Sequence, residues 1–327
     1  MPQAHIWTNL PLQPDALAFL EGLASVHCST LQDQDDWYKE AAAADALIVS
    51  GRTTLTGKVM DRIGPRLRII GRAGIGVDRI DLDAATRRGI MVINTPDGPT
   101  ESTAEHAIAL LLNLCKQVMI GDRLLRAGQP FPRIGELRPG LETAGAILGL
   151  VGLGRIGSRV AAIAQALGMQ VLAYDPFVTP AYAAARNVEL LPSLAELLPR
   201  SQVVSLHCPA LPQTRHIINA ETLKLMPAGS YLINVARGTL IDEDALLAAL
   251  RSGHLAGAAL DVFDPEPPRA DHPLFSHPHT ICTPHMGSYT TAGQLRMQMM
   301  VCTQIKSALL GERPDGLVNP AVWDQRR

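Results

Sequence analysis

Between His272 and Ser288 the chain reads HPLFSHPHTICTPHMGS, with histidines at 272, 277, 279 and 285 and a cysteine at 282. These residue types could together hold zinc. Alternatively, one histidine could carry a proton while the others serve the loop. Three charged residues upstream bear on the choice. Arg237 lies in YLINVARGTLIDEDAL, and Asp261 and Glu266 lie in AALDVFDPEPP. An arginine grips a planar carboxylate with two parallel N–H groups. A histidine whose pKa is held up by a carboxylate can take the proton of a hydroxyl as hydride leaves it. The zinc reading meets three prolines, Pro273, Pro278 and Pro284, and an apolar Thr280–Thr283 run that reads as a buried strand. Side chains alternate along a strand, so His279 and Cys282 diverge. No metal is expected, and His285 is the histidine singled out for chemistry.

Arg237, Asp261 and His285 all fall just after apolar runs, where an α/β sheet places its ligands. The clearest such run belongs to AILGLVGLGRIGSRVAAIAQALGMQVLAYDP. Here a strand enters the turn Gly152-Leu153-Gly154-Arg155-Ile156-Gly157, a helix follows, and a second strand ends at Asp175, 18 residues after Gly157. The first glycine permits the tight turn, the second lets backbone approach a pyrophosphate, and the third lets helix and strand pack closely. The helix N-terminus offers N–H groups to the phosphates. Asp175 is placed to accept both ribose hydroxyls. A carboxylate there repels the 2′-phosphate of NADP, and no arginine follows before Arg186, so NAD is the expected cofactor.

Short apolar runs alternating with amphipathic stretches continue through the chain, the pattern of parallel sheets covered on both faces. Strands are expected at His5–Thr8, Ala46–Val49, Leu67–Ile70 and Met91–Asn94, with helices at Trp37–Ala43 and Leu82–Arg88. Asn94–Thr100 reads as a linker. One long helix is expected over Ser102 to about Ala127, then an irregular excursion over Ala127–Gly140. Six more strands follow, at Ala146–Val151, Gln170–Tyr174, Gln202–Leu206, Tyr231–Val235, Ala258–Val262 and Thr280–Cys282. A last helix, about Thr291–Leu310, leads back to the first series. The fold class is therefore α/β with two doubly wound, Rossmann-like or flavodoxin-like lobes. One lobe is discontinuous, 1–97 with about 290–327, and the other spans about 98–289.

The composition removes several classes of function. With 327 residues, 47% of them hydrophobic, the chain can bury two cores. Its 29 basic and 31 acidic residues give a net charge of −2, so neither nucleic acid nor a membrane surface is an expected partner. Apolar runs such as Ala144–Val151 are too short to span a bilayer. The N-terminal MPQAHIWTNLPLQPD has no signal-peptide pattern. The five cysteines (28, 115, 208, 282, 302) form no CxxC and suit the reduced thiols of a cytoplasmic protein.

The blocks GRAGIGVDRIDLDAATRRGI, NTPDGPTESTAEHAIALLL, GLVGLGRIG, INVARGTLIDEDALLAAL, LDVFDPEPP and TPHMGS occur in that order from about residue 46 onward. In this the chain resembles the D-isomer-specific 2-hydroxyacid dehydrogenases. The resemblance implies an NAD-dependent oxidoreductase that moves hydride between nicotinamide and a D-2-hydroxy or 2-keto acid. It implies a NAD-binding lobe at 98–289, a substrate-binding lobe made of the two outer segments, and a cleft between them that closes over the reactants. Arg237 would bind the substrate carboxylate, His285 would be the acid/base, and Glu266 would pair with it. Asp261 would meet the nicotinamide carboxamide. Cys208, Pro209 and Ala236 are further candidate cofactor contacts. The backbone of Ala73, Gly74 and Ile75 would hold the substrate carboxylate, with Arg52 and Arg72 as candidate phosphate ligands. A homodimer is implied, the 127–140 excursion reaching over its partner. Glu266 stands where formate dehydrogenases resemble one another in carrying glutamine, so formate is not the expected substrate. GRAGIGVD and STAEHAIALLL are most similar to D-3-phosphoglycerate dehydrogenases, although IVSGRTT, which holds Arg52, departs from their IVRS-like stretch. The alternatives are a glyoxylate/hydroxypyruvate reductase and a non-enzymatic, NAD-responsive binding protein like the corepressors that resemble this family.

Overall fold

A computed structural model describes residues 3–29, 37–129 and 138–326. The chain divides into two compact units, residues 1–99 with 289–327, and residues 100–288.

The first unit holds a five-stranded parallel sheet: β1 (Ala4–Thr8), β2 (Ala24–Cys28), β3 (Ala46–Val49), β4 (Ile69–Arg72) and β5 (Met91–Ile93). Their order is β2-β1-β3-β4-β5, the flavodoxin-like winding. Alternation along the strands divides the apolar side chains between two cores. Ile6, Ile48, Ile69 and Ile93 face Val301 and Ile305 of the helix Thr291–Leu309. Trp7, Leu47, Val49, Ile70 and Val92 face Met60 and Ile63 of the helix Gly57–Ile63. Gly71 has no side chain because a Cβ would lie 2.5 Å from Val301 Cγ2. Thr56 and Asp81 start their helices by accepting the N–H groups of Val59 and Ala84.

The second unit holds a seven-stranded parallel sheet: β6 (Ile147–Val151), β7 (Gln170–Tyr174), β8 (Glu189–Leu190), β9 (Val203–Leu206), β10 (Ser230–Asn234), β11 (Leu255–Leu260) and β12 (Thr280–Cys282). The order β12-β11-β10-β9-β6-β7-β8 is the dinucleotide-binding winding with one added strand. Its direction reverses between β6 and β9, the switch point at which such sheets bind ligands.

Two edge strands, β2 and β8, go beyond the strands expected from sequence. In β2 only Ala24 is buried, so the apolar run that signals the inner strands is missing. β8 is two residues long. The single helix expected over 102–127 is two, Thr100–Lys116 and Val118–Arg126. Gln117 separates them with a left-handed φ of 54°. The break is held by Met119 N–H donating to Asn113 Oδ1 (2.9 Å) and by the Gln117 side chain donating to the Arg138 carbonyl (2.5 Å). Most of the 127–140 excursion lies outside the described residues. No helix among the described residues is long and apolar enough to cross a membrane.

Candidate active site

The glycine turn occupies the switch point. Gly152 has φ 101°, and a Cβ on it would lie 2.7 Å from the Cys208 nitrogen, in the loop after β9. Only glycine serves there, both for the backbone angle and for the close approach. At Gly157 a Cβ would strike the Gly152 carbonyl, whereas nothing lies within 4 Å of the Gly154 position. That turn is therefore packed on two sides and open on the third. Gly154 caps the helix Arg155–Ala166 without a side-chain acceptor for the first-turn N–H groups, an arrangement suited to an anion. Asp175 follows β7 and organises the same turn: Oδ2 accepts from Leu153 N–H (2.8 Å) and Oδ1 from Phe177 N–H (2.9 Å). Arg186, the first arginine after it, lies over the Tyr182 ring at 3.5 Å and donates to the Tyr182 carbonyl.

In the same loop as Cys208, His207 packs against the glycine turn, its Cβ 3.6 Å from the Gly157 Cβ position. Burial pushes its imidazole down to about 4, so it is neutral at physiological pH. Burial also pushes the Cys208 thiol up to about 11, which removes it as a nucleophile.

The loops after β10, β11 and β12 carry the remaining candidates of this unit. Arg237 is held by its backbone: Asn234 Nδ2 donates to its carbonyl (2.8 Å), and Asn234 Oδ1 accepts from Ala236 N–H (3.0 Å). Its guanidinium donates to the Ala236 carbonyl (2.6 Å). Gly238 lets this loop press against the backbone of Phe263 and Asp264, on which a Cβ would collide. The chain reaches Glu266 two residues later, so Gly238 sets the Arg237 loop directly against the loop of Glu266. Glu266 Oε1 and His285 Nδ1 are 2.8 Å apart, both partly exposed.

His285 sits in a left-handed turn with φ 53°, an unusual conformation for a residue with a side chain. Asp261, 1% exposed, holds this turn. Its carbonyl accepts the His285 N–H (2.7 Å). Oδ1 accepts from Met286 N–H (2.9 Å) and Thr283 Oγ1 (2.6 Å), and Oδ2 from Gly287 N–H (2.8 Å). Burial alone would raise this carboxyl; the hydrogen bonds from His106, Thr283 and Met286 outweigh it and hold it below the ordinary aspartate range.

The other histidines of the opening cluster are separate from His285. His272 pairs with Glu243 (2.9 Å) and accepts from Leu274 N–H at the start of a short helix. The His277 and His279 rings are 5.9 Å apart, and burial, with His279 and Arg251 nearby, lowers His277. Burial pushes the Cys282 thiol up to about 11. Among the described residues no three His, Cys, Asp or Glu side chains are grouped to hold a metal ion.

In the first unit, Ala73, Gly74 and Ile75 follow β4. Gly74 has φ 141°, and its N–H donates to Thr95 Oγ1 (2.7 Å) while Thr95 N–H returns to its carbonyl (3.0 Å). Arg72 folds over this loop, donating to Gly76 O (3.0 Å) and Ala73 O. Arg52 is exposed, and Arg79 donates to its carbonyl at 3.4 Å. Three arginines thus gather at this end of the first sheet. Asn234, Gly238, Thr283, His106 and Arg79 are parts of this architecture that spacing alone does not pick out.

Residues 108–287 match the family model for the D-isomer specific 2-hydroxyacid dehydrogenase, NAD binding domain. The chain is 40% identical over 309 residues to a D-3-phosphoglycerate dehydrogenase of Methanocaldococcus jannaschii, a match that covers 94% of this chain and 58% of that relative. It thus spans little more than half the length of the curated relative it matches. The solved TT0316 protein from Thermus thermophilus is 38% identical, with a TM-score of 0.87 over 96% of this chain and 99% of that one. A glyoxylate reductase from Paecilomyes thermophila is 28% identical, with a TM-score of 0.86 over 98% and 99%. The fold and the glycine turn thus define a dinucleotide-binding oxidoreductase scaffold. The chain belongs to the D-isomer-specific 2-hydroxyacid dehydrogenase family.

Proposed function

We propose that this chain is an NAD-dependent dehydrogenase of a small D-2-hydroxy acid, working in either direction with the matching 2-keto acid. The observation that carries this is the 2.8 Å contact of His285 Nδ1 with Glu266, on a loop pressed against that of Arg237. With Nδ1 committed to Glu266, Nε2 is the nitrogen that exchanges a proton with the substrate oxygen, and Glu266 stabilises the imidazolium. Arg237 grips the substrate carboxylate and orients the carbon that reacts. On the first unit the backbone N–H of Ile75 serves a substrate carboxylate, those of Ala73 and Gly74 being taken by the Val49 carbonyl (3.2 Å) and Thr95 Oγ1 (2.7 Å), and Arg52 and Arg72 receive a phosphate, which makes D-3-phosphoglycerate the favoured substrate. The likeness to a glyoxylate reductase supports glyoxylate or hydroxypyruvate as the second choice.

The open face at Gly154 and the uncapped helix start fit a pyrophosphate, and Asp175 fits ribose hydroxyls. NAD, when bound, supplies the hydride acceptor. Gly152, Gly154, Arg155, Ile156 and Gly157 hold its phosphates, Cys208, Pro209 and Ala236 its middle, and Asp261 its carboxamide. NAD is preferred over NADP because Asp175 repels a 2′-phosphate and Arg186 is held at Tyr182. Residues 1–97 with 290–327 serve the substrate and residues 98–289 the cofactor. The protein works as a homodimer, which the exposed Val118 and Leu125 support, in the cytoplasm, which five free thiols support.

The test is NADH oxidation with phosphohydroxypyruvate, hydroxypyruvate and glyoxylate, and NAD reduction with D-3-phosphoglycerate. His285→Ala and Arg237→Ala are each expected to lower turnover by about 100-fold or more while NADH affinity stays within a few-fold. Tight NADH binding with no turnover on any of these acids would favour the non-enzymatic reading instead.

A further inference from the structure

We propose that His106 is a positioning residue for His285, acting through Thr283 and Asp261. The inference rests on the reading of His285 as the acid/base. His285 needs external support, because a left-handed φ strains a residue with a Cβ and the turn is partly exposed. The support is Asp261, whose carbonyl and carboxylate together take the N–H groups of His285, Met286 and Gly287. Among the described residues, His106 is the basic side chain within ion-pair distance of this buried carboxylate: Nε2 lies 3.4 Å from Oδ1.

The proton arrangement follows from the chemistry of the groups. An ionised carboxylate only accepts. At 2.6 Å the Thr283 hydroxyl must therefore donate to Asp261 Oδ1. Thr283 Oγ1 then has only lone pairs to offer His106 Nε2, which is 3.2 Å away. His106 Nε2 therefore carries a hydrogen, in the neutral ring or the imidazolium. The chain of donors runs from His106 to Thr283 to Asp261, and Asp261 in turn receives the amides of the His285 turn. The helix Thr100–Lys116 that bears His106 forms the wall behind that turn. A Cβ at Gly287 would lie 3.5 Å from Thr103 Cγ2 and 3.7 Å from His106 Cδ2, residues one helical turn apart.

The experiment compares His106→Leu, which removes the donor, with His106→Gln, whose amide can present an N–H near the position of Nε2. His106→Leu is expected to lower kcat by about 10- to 100-fold through misplacement of the proton carrier, with the Kd for NADH within about 2-fold of the parent. His106→Gln is expected to recover kcat to within about 5-fold of the parent. Thr283→Val, close to isosteric, breaks the same chain and shifts kcat in the same direction, which keeps the test valid should His106→Leu not fold. A parental kcat in both His106→Leu and Thr283→Val overturns the inference, and so does a Gln variant as slow as the Leu variant. His285→Ala, run alongside, separates the two failures. A fully active His285→Ala refutes the reading on which the inference rests, whereas an inactive His285→Ala beside an active His106→Leu refutes the inference alone.

Discussion

Asp175 and Asp261 invite comparison, because both lie directly after strands of the seven-stranded sheet and both take backbone N–H groups from a loop. Asp175 accepts one N–H on each oxygen, from Leu153 and Phe177, and remains partly exposed. Asp261 accepts two N–H groups and a hydroxyl, has His106 at 3.4 Å, and is 1% exposed. The first keeps lone pairs open to a ligand hydroxyl, while most of the second's capacity is spent inside the protein. The same residue type at the same topological place thus serves chiefly recognition in one loop and chiefly construction in the other. Burial and the number of internal donors separate the two uses.

The largest predicted effect belongs to Asp261. Asp261→Ala leaves buried N–H groups without an acceptor and is expected to cost about 3 kcal/mol or more of unfolding free energy. Asp261→Asn turns an amide donor toward other donors and should cost somewhat less. The pH dependence has a definite sign. The folded carboxyl lies below its ordinary value of about 3.9. Its charge therefore stabilises the fold fully above that value, and the benefit is lost as pH falls through the lower folded value. Urea unfolding should show a gap between the parent and Asp261→Asn that is constant from pH 7 to about 5 and narrows below about 4. A gap that widened on acidification would contradict the account of Asp261 as an ionised anchor.

Asp175→Ala tests the other half of the comparison and should be milder for stability, about 1 kcal/mol, because water can replace the carboxylate at a partly exposed turn. Its main effect should be on the cofactor. The Kd for NADH is expected to rise about 10-fold, the equivalent of about 1.4 kcal/mol, while that for NADPH changes little or improves. Fluorescence titration with both nucleotides measures this. An unchanged ratio of the two affinities would show that Asp175 only shapes the glycine turn, making it a second construction residue like Asp261.

The legible parts of the molecule are those whose signal is local. The inner strands announce themselves as apolar runs because both faces of each sheet are covered; all four residues of β3 are buried. The glycine turn is legible because strand, three glycines, helix, second strand and Asp175 follow one another without interruption. β2 escapes notice because Ser25, His27 and Cys28 are exposed along one edge. The break at Gln117 escapes because glutamine is no helix breaker by type, and one of the two bonds that hold it, to the Arg138 carbonyl, reaches 21 residues away. His285 and Glu266 are paired only through family resemblance, since 19 residues of separation point to no particular contact. His106 is the extreme case. It reads as one residue of an amphipathic helix, and its meaning depends on Thr283, 177 residues further along.

The smallest predicted effect isolates the variable that separates the two aspartates. Glu189, on edge strand β8, receives two bonds from Arg200, at 2.7 and 2.9 Å, a bidentate pair of good geometry. The Arg200 bonds hold its carboxyl below the ordinary range, as the internal bonds do for Asp261. If hydrogen bonds alone fixed the worth of a carboxylate, Glu189→Gln should be comparable in cost to Asp175→Ala. Yet the two side chains are 53% and 46% exposed. Water therefore competes for both partners and screens their attraction, and ordering two long side chains offsets part of the gain. The expected cost is under about 0.5 kcal/mol, shrinking further in high salt. A measured loss above about 1.5 kcal/mol would mean that bond number, and not burial, ranks these carboxylates. In that case the division of Asp175 and Asp261 into recognising and building residues would lose its physical basis.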